Sequence, residues 1–163
     1  TLSSSSAASD VYKRQGVKLE AKWNKFYKRK KQEINKISKN NFYKTLKSEK
    51  LVSIKETKSI ATRKSSELVL NALTKKTNTL IGGSADLAGS NNTKTKYHNI
   101  IKPGDFNGDY IHYGVREHAM CGIMNGIALH SKFIPYGGTF LIFTDYCKPS
   151  IRLSALMLSL IHI

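Results

Sequence analysis

Glu117 is the side chain in this sequence best placed to do chemistry. It stands in the stretch YIHYGVREHAMCGIMN, residues 110–125, where a short β-like run and a glycine lead into a helix carrying this one carboxylate in its first turn. A carboxylate there steadies the helix dipole by a few tenths to about 1 kcal/mol, and most residues so placed do nothing more. Its company is what raises it above that role. The helix that follows is strongly apolar, and beyond the next β run Phe140, Phe143 and Tyr146 recur every three residues, which sets three rings along one side of a helical or tight-turn backbone. A carboxyl held against aromatic rings is suited to sharing a proton with a ring nitrogen. The rings alone read as plain core more readily than as a ligand site, yet Gly137-Gly138 just before them would let a flat heteroaromatic reach the backbone.

The remaining candidates are weaker one by one. Gly82-Gly83-Ser84-Ala85-Asp86 exposes backbone after a short apolar run but matches neither a Walker nor a dinucleotide fingerprint. Arg63, near a helix start, and Ser90, in a loop, would each be assigned to solvent if taken singly. His98, His112, His118 and His130 form no HxxxH or HExxH pair, so no metal site is expected. Cys121 and Cys147 are too few for a disulfide framework and lack metal-ligand spacing, which points to buried free thiols in a reducing compartment.

These residues need a scaffold, and the pattern supplies one. Thr62 is expected to supply a capping hydroxyl before a helix with Val69, Ala72 and Leu73 on one face, which Asn78 ends. Thr79-Leu80-Ile81 then makes a strand that stops at the Gly82-Gly83 turn. Residues 91–108 read as a long surface loop, with Pro103-Gly104 and Asn107-Gly108 as turn signals. A second strand over residues 110–113 breaks at Gly114, and a helix over about 116–129 is expected to bury Met120, Ile123, Met124 and Ile127. Residues 133–136 form a third β run, and a last helix covers about 150–157. Helix and strand alternating, with glycine turns after the strands, is an α/β signature: a parallel sheet with helices on its faces. In such sheets ligands gather beyond the carboxyl ends of the strands.

Upstream, residues 1–16 are small and polar without an apolar period and are expected to lack regular structure. Residues 17–39 place Trp23, Tyr27, Ile34 and Ile37 on one helical stripe among lysines, Asn40-Asn41 offers a stop, and a second short helix is plausible over 42–51. The formal charge of +16 suggests nucleic acid, but twelve Lys and Arg against three Glu in residues 17–50 account for a net +9, while residues 79–157 carry only +2. The excess is local, and a solvated basic linker explains it better than an RNA-binding helix. No secretory signal is visible, and the apolar run 153–163 is too short to span a bilayer, so a cytoplasmic protein with no membrane association is expected.

Three blocks, IGGSADLAGSNNT (81–93), YIHYGVREHAMCGIMNGIALH (110–130) and IPYGGTFLIFTDYCKPSIRLSALM (134–157), together resemble the pyrimidine-binding domain of transketolase in order and spacing. The resemblance implies a three-layer thiamine diphosphate-binding fold, incomplete over residues 59–157, with 17–58 as a basic linker from a diphosphate domain that the chain lacks. Residues 1–16 and 158–163 have no counterpart in it and are expected to be non-native ends. It further implies that Glu117 is the glutamate that hydrogen-bonds the aminopyrimidine ring nitrogen and favours its imino tautomer, the form that activates the thiazolium carbon. By the same resemblance Phe140, Phe143 and Tyr146 surround the aminopyrimidine, Asp86 lies near the cofactor, and Arg63 and Ser90 hold the sugar phosphate. An Arg suits that last role because its fork binds phosphate in a bidentate manner. The implied activity is transfer of a two-carbon ketol unit from a ketose phosphate to an aldose phosphate, of the pentose phosphate pathway or Calvin cycle type. The implied partners are thiamine diphosphate, Mg2+ (or Ca2+) held by the absent domain, and the second subunit of a homodimer. A fragment with one half of such a site is expected to be inactive alone. The rival readings are a deoxyxylulose-phosphate synthase, a formaldehyde-using ketol transferase, and a basic nucleic-acid-binding module resting on residues 17–50.

Overall fold

A computed structural model describes residues 2–36, 42–44 and 59–159. The expectations for the stop at Asn40-Asn41, for the second helix beyond residue 44, for most of 37–58 and for 160–163 lie outside the described residues. The chain divides into two compact units, residues 1–36 and 37–163.

The first unit is one helix, α1, Leu2–Lys36. The expectation that residues 1–16 lack regular structure is therefore corrected: the helix begins fifteen residues before Val17. Once the amphipathic segment has met the cost of nucleation, each added Ser or Ala costs only a few tenths of a kcal/mol, and no proline interrupts the run. Along α1 the rings of Trp23 and Tyr27 stack 5.0 Å apart and the Arg29 guanidinium lies 5.8 Å from the Phe26 ring.

In the second unit α2 is Thr62–Thr74, β1 is Leu80–Ser84, α3 is Ala88–Asn91, β2 is Tyr110–His112, α4 is Glu117–His130, β3 is Ile134–Pro135 and α5 is Thr144–Leu156. The sheet is parallel throughout, in the order β2-β1-β3. The central strand pairs Gly82 with Tyr110 and Ser84 with His112 on one side, and Leu80 with Ile134 on the other. It does not stop at Gly82 as expected but runs through both glycines. A Cβ on Gly82 would lie 2.4 Å from the Tyr136 ring, and one on Gly83 2.1 Å from that of Tyr113. The glycines are the space into which two tyrosines fold over the strand, and ladders on both sides hold a backbone that glycine alone would leave loose.

Ser84, the last residue of β1, ties this end together. Its hydroxyl donates to the Gly138 carbonyl at 2.9 Å and accepts from the Leu87 N–H and the Asn91 Nδ2, each at 3.2 Å. The side chain is almost fully buried. Ser84→Ala should cost about 1–3 kcal/mol, since the part-buried Leu87 N–H and Asn91 Nδ2 lose their acceptor, while the Gly138 carbonyl keeps the Ala85 N–H at 3.2 Å. Chemical denaturation of the 163-residue chain checks this; a loss below about 0.5 kcal/mol, the range of ordinary surface changes, would show that the hydroxyl is dispensable.

The stretch expected to be a surface loop departs from that reading. It begins as α3 and buries Thr93, Thr95 and His98. These polar groups enter the interior because each is paired: the Thr93 and Tyr110 hydroxyls lie 2.8 Å apart, and the Thr95 N–H donates to His98 Nδ1 at 2.9 Å.

Helix α4 follows the expected span but not the expected face. Met120 is buried, whereas Ile123 is 47% exposed and Asn125 is buried. The reason is a polar seam with α5. Asn125 Nδ2 donates to the Ser150 carbonyl at 3.0 Å and the Ser154 hydroxyl donates to Asn125 Oδ1 at 2.5 Å, so small hydroxyls let the helices close where an apolar stripe was expected. Helix α5 starts six residues earlier than expected. A 3₁₀ turn, Leu141–Phe143, already directs the chain into it, and the helix carries Pro149 in its interior, at the cost of the bond its N–H would make and of crowding against the carbonyl four residues before. Among the described residues no helix is long and apolar enough to cross a membrane.

Candidate active site

The carboxyl end of β1, the start of α4 and the start of α5 converge on a hollow of about 540 Å³. Asp86, Glu117, Phe143 and Tyr146 line it, with Ala85, Leu87 and Val115 completing the wall. Asp86 sits there on a left-handed backbone, φ 61°, at the turn leaving β1. Glu117 is aimed by the turn from β2 into α4, where Gly114 takes φ 67° and Arg116 Nη1 donates to the Tyr113 carbonyl at 3.0 Å. Its residue is 8% exposed, and no described side chain hydrogen-bonds its carboxylate.

The aromatic residues form a ladder. Phe140 and Phe143 stack 5.9 Å apart at 20°, and Phe143 and Tyr146 stack 6.2 Å apart at 30°. Phe140 is exposed, and Tyr146 is 64% exposed. Rings packed wholly in a core do not present such area to solvent. One turn after Glu117, burial pushes the Cys121 thiol up to about 12, helped by a hydrogen bond with Cys147 and the nearby Glu117 charge. It stays a protonated thiol at neutral pH and is no nucleophile. Among the described residues no three His, Cys, Asp or Glu side chains gather as metal ligands do.

A second hollow of about 500 Å³ lies between the start of α2, helix α3 and the segment after β3. Arg63 and Ser90 both line it, together with Ser66, Asn91, Thr93, Gly138 and Thr139. Phe140 lines this hollow too, while its stacking partner Phe143 lines the first, so the ring ladder joins them. The buried Thr139 hydroxyl has no hydrogen-bond partner among the described residues. A guanidinium with several hydroxyls around it, one of them unsatisfied, suits a phosphoryl group. All seven residues singled out from the sequence thus border one of two joined hollows. Sequence reasoning missed Asn91, Thr93 and Thr139. The signals were an Asn-Asn pair, whose Asn92 takes φ 56°, and a hydroxyl directly after Gly137-Gly138.

Comparison with known proteins bears on both hollows. The sequence model of the transketolase pyrimidine-binding domain matches residues 58–163, a span that includes the six residues after Met157. A transketolase of Cereibacter sphaeroides is 57% identical over 102 residues, covering 63% of this chain and 16% of that protein. The transketolase structure from Campylobacter jejuni aligns over 85% of this chain and 21% of its own, at 36% identity and a TM-score of 0.67. The Pichia stipitis transketolase in complex with sedoheptulose 7-phosphate covers 85% of this chain and 22% of its own, at 38% identity and a TM-score of 0.65. The chain therefore spans less than a quarter of the length of these relatives. A match over nearly two thirds of the sequence, on the α/β scaffold just described, means that this chain belongs to the transketolase pyrimidine-binding-domain family.

Proposed function

We propose that this chain is the pyrimidine-side half of a thiamine diphosphate site, and that its full-length parent transfers a two-carbon ketol unit from a ketose phosphate to an aldose phosphate. One observation carries the reading: an unpaired, mostly buried carboxylate and exposed stacked rings share one hollow. That combination fits a flat heteroaromatic with a basic ring nitrogen. When bound, thiamine diphosphate supplies the electron sink that lets the ketol unit leave one sugar and join another. Glu117 would hold a proton at the ring nitrogen, with Phe140, Phe143 and Tyr146 flanking the ring and Asp86 lining the same wall. Arg63 and Ser90 would hold the sugar phosphate in the adjoining hollow.

The complex of the Pichia stipitis relative with sedoheptulose 7-phosphate supports a sugar phosphate as substrate. The diphosphate and its Mg2+ (or Ca2+) would be held by a domain outside this chain, with a second subunit of a homodimer completing the site. On this reading residues 17–58 are a linker, the parent works in the cytoplasm, and the isolated chain binds thiamine diphosphate feebly. Relatives named transketolase at 52–57% identity favour this reading over a synthase or formaldehyde-using relative of the family. The basic excess of residues 17–50 lies outside the span that the family model matches, which favours this reading over a nucleic-acid-binding module.

Arg63→Leu in the full-length parent tests the assignment. Removing one charged hydrogen-bonding group costs about 1.5–3 kcal/mol, so KM for xylulose 5-phosphate and ribose 5-phosphate should rise about 10- to 100-fold. Turnover at saturation should fall far less, the mark of a group that binds ground state and transition state alike. An unchanged KM in steady-state kinetics would remove Arg63 from the phosphate site.

A further inference from the structure

Among the described residues, His98 is the one histidine that the proposed chemistry leaves unused and the fold buries, at 7% exposure. Its protonation state is fixed by its partners. The Thr95 backbone N–H can only donate, so Nδ1, 2.9 Å away, carries no proton. The Tyr136 hydroxyl donates to the Thr93 carbonyl at 2.8 Å, which can only accept. Its oxygen therefore receives the Nε2–H of His98 at 3.1 Å. Only the neutral Nε2–H tautomer satisfies all three bonds, and a proton on Nδ1 would face the Thr95 N–H donor head on.

Behind this clamp stands the wall of the Arg63 hollow. The Thr93 hydroxyl donates to Asn91 Oδ1 at 2.9 Å, Asn91 Nδ2 donates to Ser84, and Ser84 donates to Gly138. Asn91, Thr93 and Gly138 all line the hollow. From the far side His98 borders a separate polar concavity with Lys94, Lys102 and Asp105. The rings of Tyr110 and Tyr136 lie 5.2 and 6.0 Å from it, and from α2 the Thr74 hydroxyl meets that of Thr95 at 2.9 Å.

We propose that His98 is a positioning residue: in its neutral form it clamps the Asn91–Thr95 wall of the Arg63 hollow, and its protonation releases that wall and weakens anion binding there. The inference rests on the reading of the hollow as a phosphate site. Burial holds the imidazole pKa below its ordinary 6.5, outweighing the Asp109 charge, which raises it, and reinforced by Lys94, which lowers it. The clamp's contribution is thus whole above 6.5 and is lost as pH falls through the lowered folded value.

The test uses the 15N-labelled 163-residue chain, with sulfate as probe because its charge is constant between pH 4.5 and 8. The amides of Asn91, Thr93 and Thr95 should shift with the same midpoint as the His98 ring nitrogens. Sulfate affinity should fall about tenfold across that midpoint, the worth of one buried hydrogen bond. Tyr136→Phe, which removes one oxygen and little volume, should uncouple the two, leaving sulfate affinity low and independent of the His98 midpoint. Wall amides that stay still while His98 titrates overturn the proposal, as does a tenfold fall in affinity that persists in Tyr136→Phe. If sulfate binds at no pH, the phosphate reading of the hollow fails, while the amide shifts, read without ligand, still decide the clamp.

Discussion

Replacing Glu117 with Gln in the full-length parent should lower the rate of ketol transfer by about 10²- to 10⁴-fold, the range for losing one positioned acid–base group. Gln keeps the shape of Glu117 and can still hydrogen-bond, but its amide cannot share a proton with a ring nitrogen. Because Glu117 opens α4 and no described side chain holds its carboxylate, the substitution leaves the fold intact, so a fall in rate reports chemistry. Tm and thiamine diphosphate affinity, measured alongside, should change little compared with the rate. Turnover within a few fold of wild type would reduce Glu117 to a helix-dipole partner worth no more than about 1 kcal/mol. Glu117→Ala should behave at least as badly, since it also opens a void under the rings.

The largest structural effect is expected at Gly83. A Cβ there would lie 2.1 Å from Tyr113 Cε2 and 2.8 Å from the Ile111 carbonyl oxygen on the paired strand. The tyrosine ring has nowhere to go, because it packs with Ala85 and Met120 in the core beneath α4, and the carbonyl belongs to the β2 backbone. Gly83→Ala should therefore destabilise the second unit by about 3 kcal/mol, the upper end of ordinary overpacking. For a unit of this size that is a fall in Tm on the order of 10 °C or more, read by differential scanning calorimetry. Gly89→Ala is the control: nothing lies within 4 Å of its added Cβ, and it sits in α3. Equal effects at the two positions would mean that backbone entropy, and not the tyrosine, makes Gly83 necessary.

Much of the site was legible in the one-dimensional pattern. Glu117 could be found because a carboxylate at the start of an apolar helix breaks that helix's own period. The ring ladder showed because a spacing of three on a 3₁₀ turn and the helix after it keeps Phe140, Phe143 and Tyr146 on one side. The α/β class and the parallel sheet followed from alternation with glycine turns. The rest depended on contacts between segments far apart in sequence. Gly82 and Gly83 look like a strand end until the tyrosines that directly follow β2 and β3 are laid over them. Residues 91–108 look solvated until Thr93, Thr95 and His98 find partners on β2 and after β3. The buried face of α4 was misjudged at Ile123 and Asn125, because its neighbour α5 presents hydroxyls there and no apolar stripe.

The sequence by itself determined the elements, the acid and the rings, because helix and strand periods and glycine turns are local and need no partner. Only the tertiary structure decided that the rings face solvent as a stack, that Arg63 and Ser90 share one hollow, and that His98 is an interior residue. Those outcomes rest on burial and hydrogen bonding between residues up to 54 positions apart, and no local pattern encodes which distant donor will meet which acceptor.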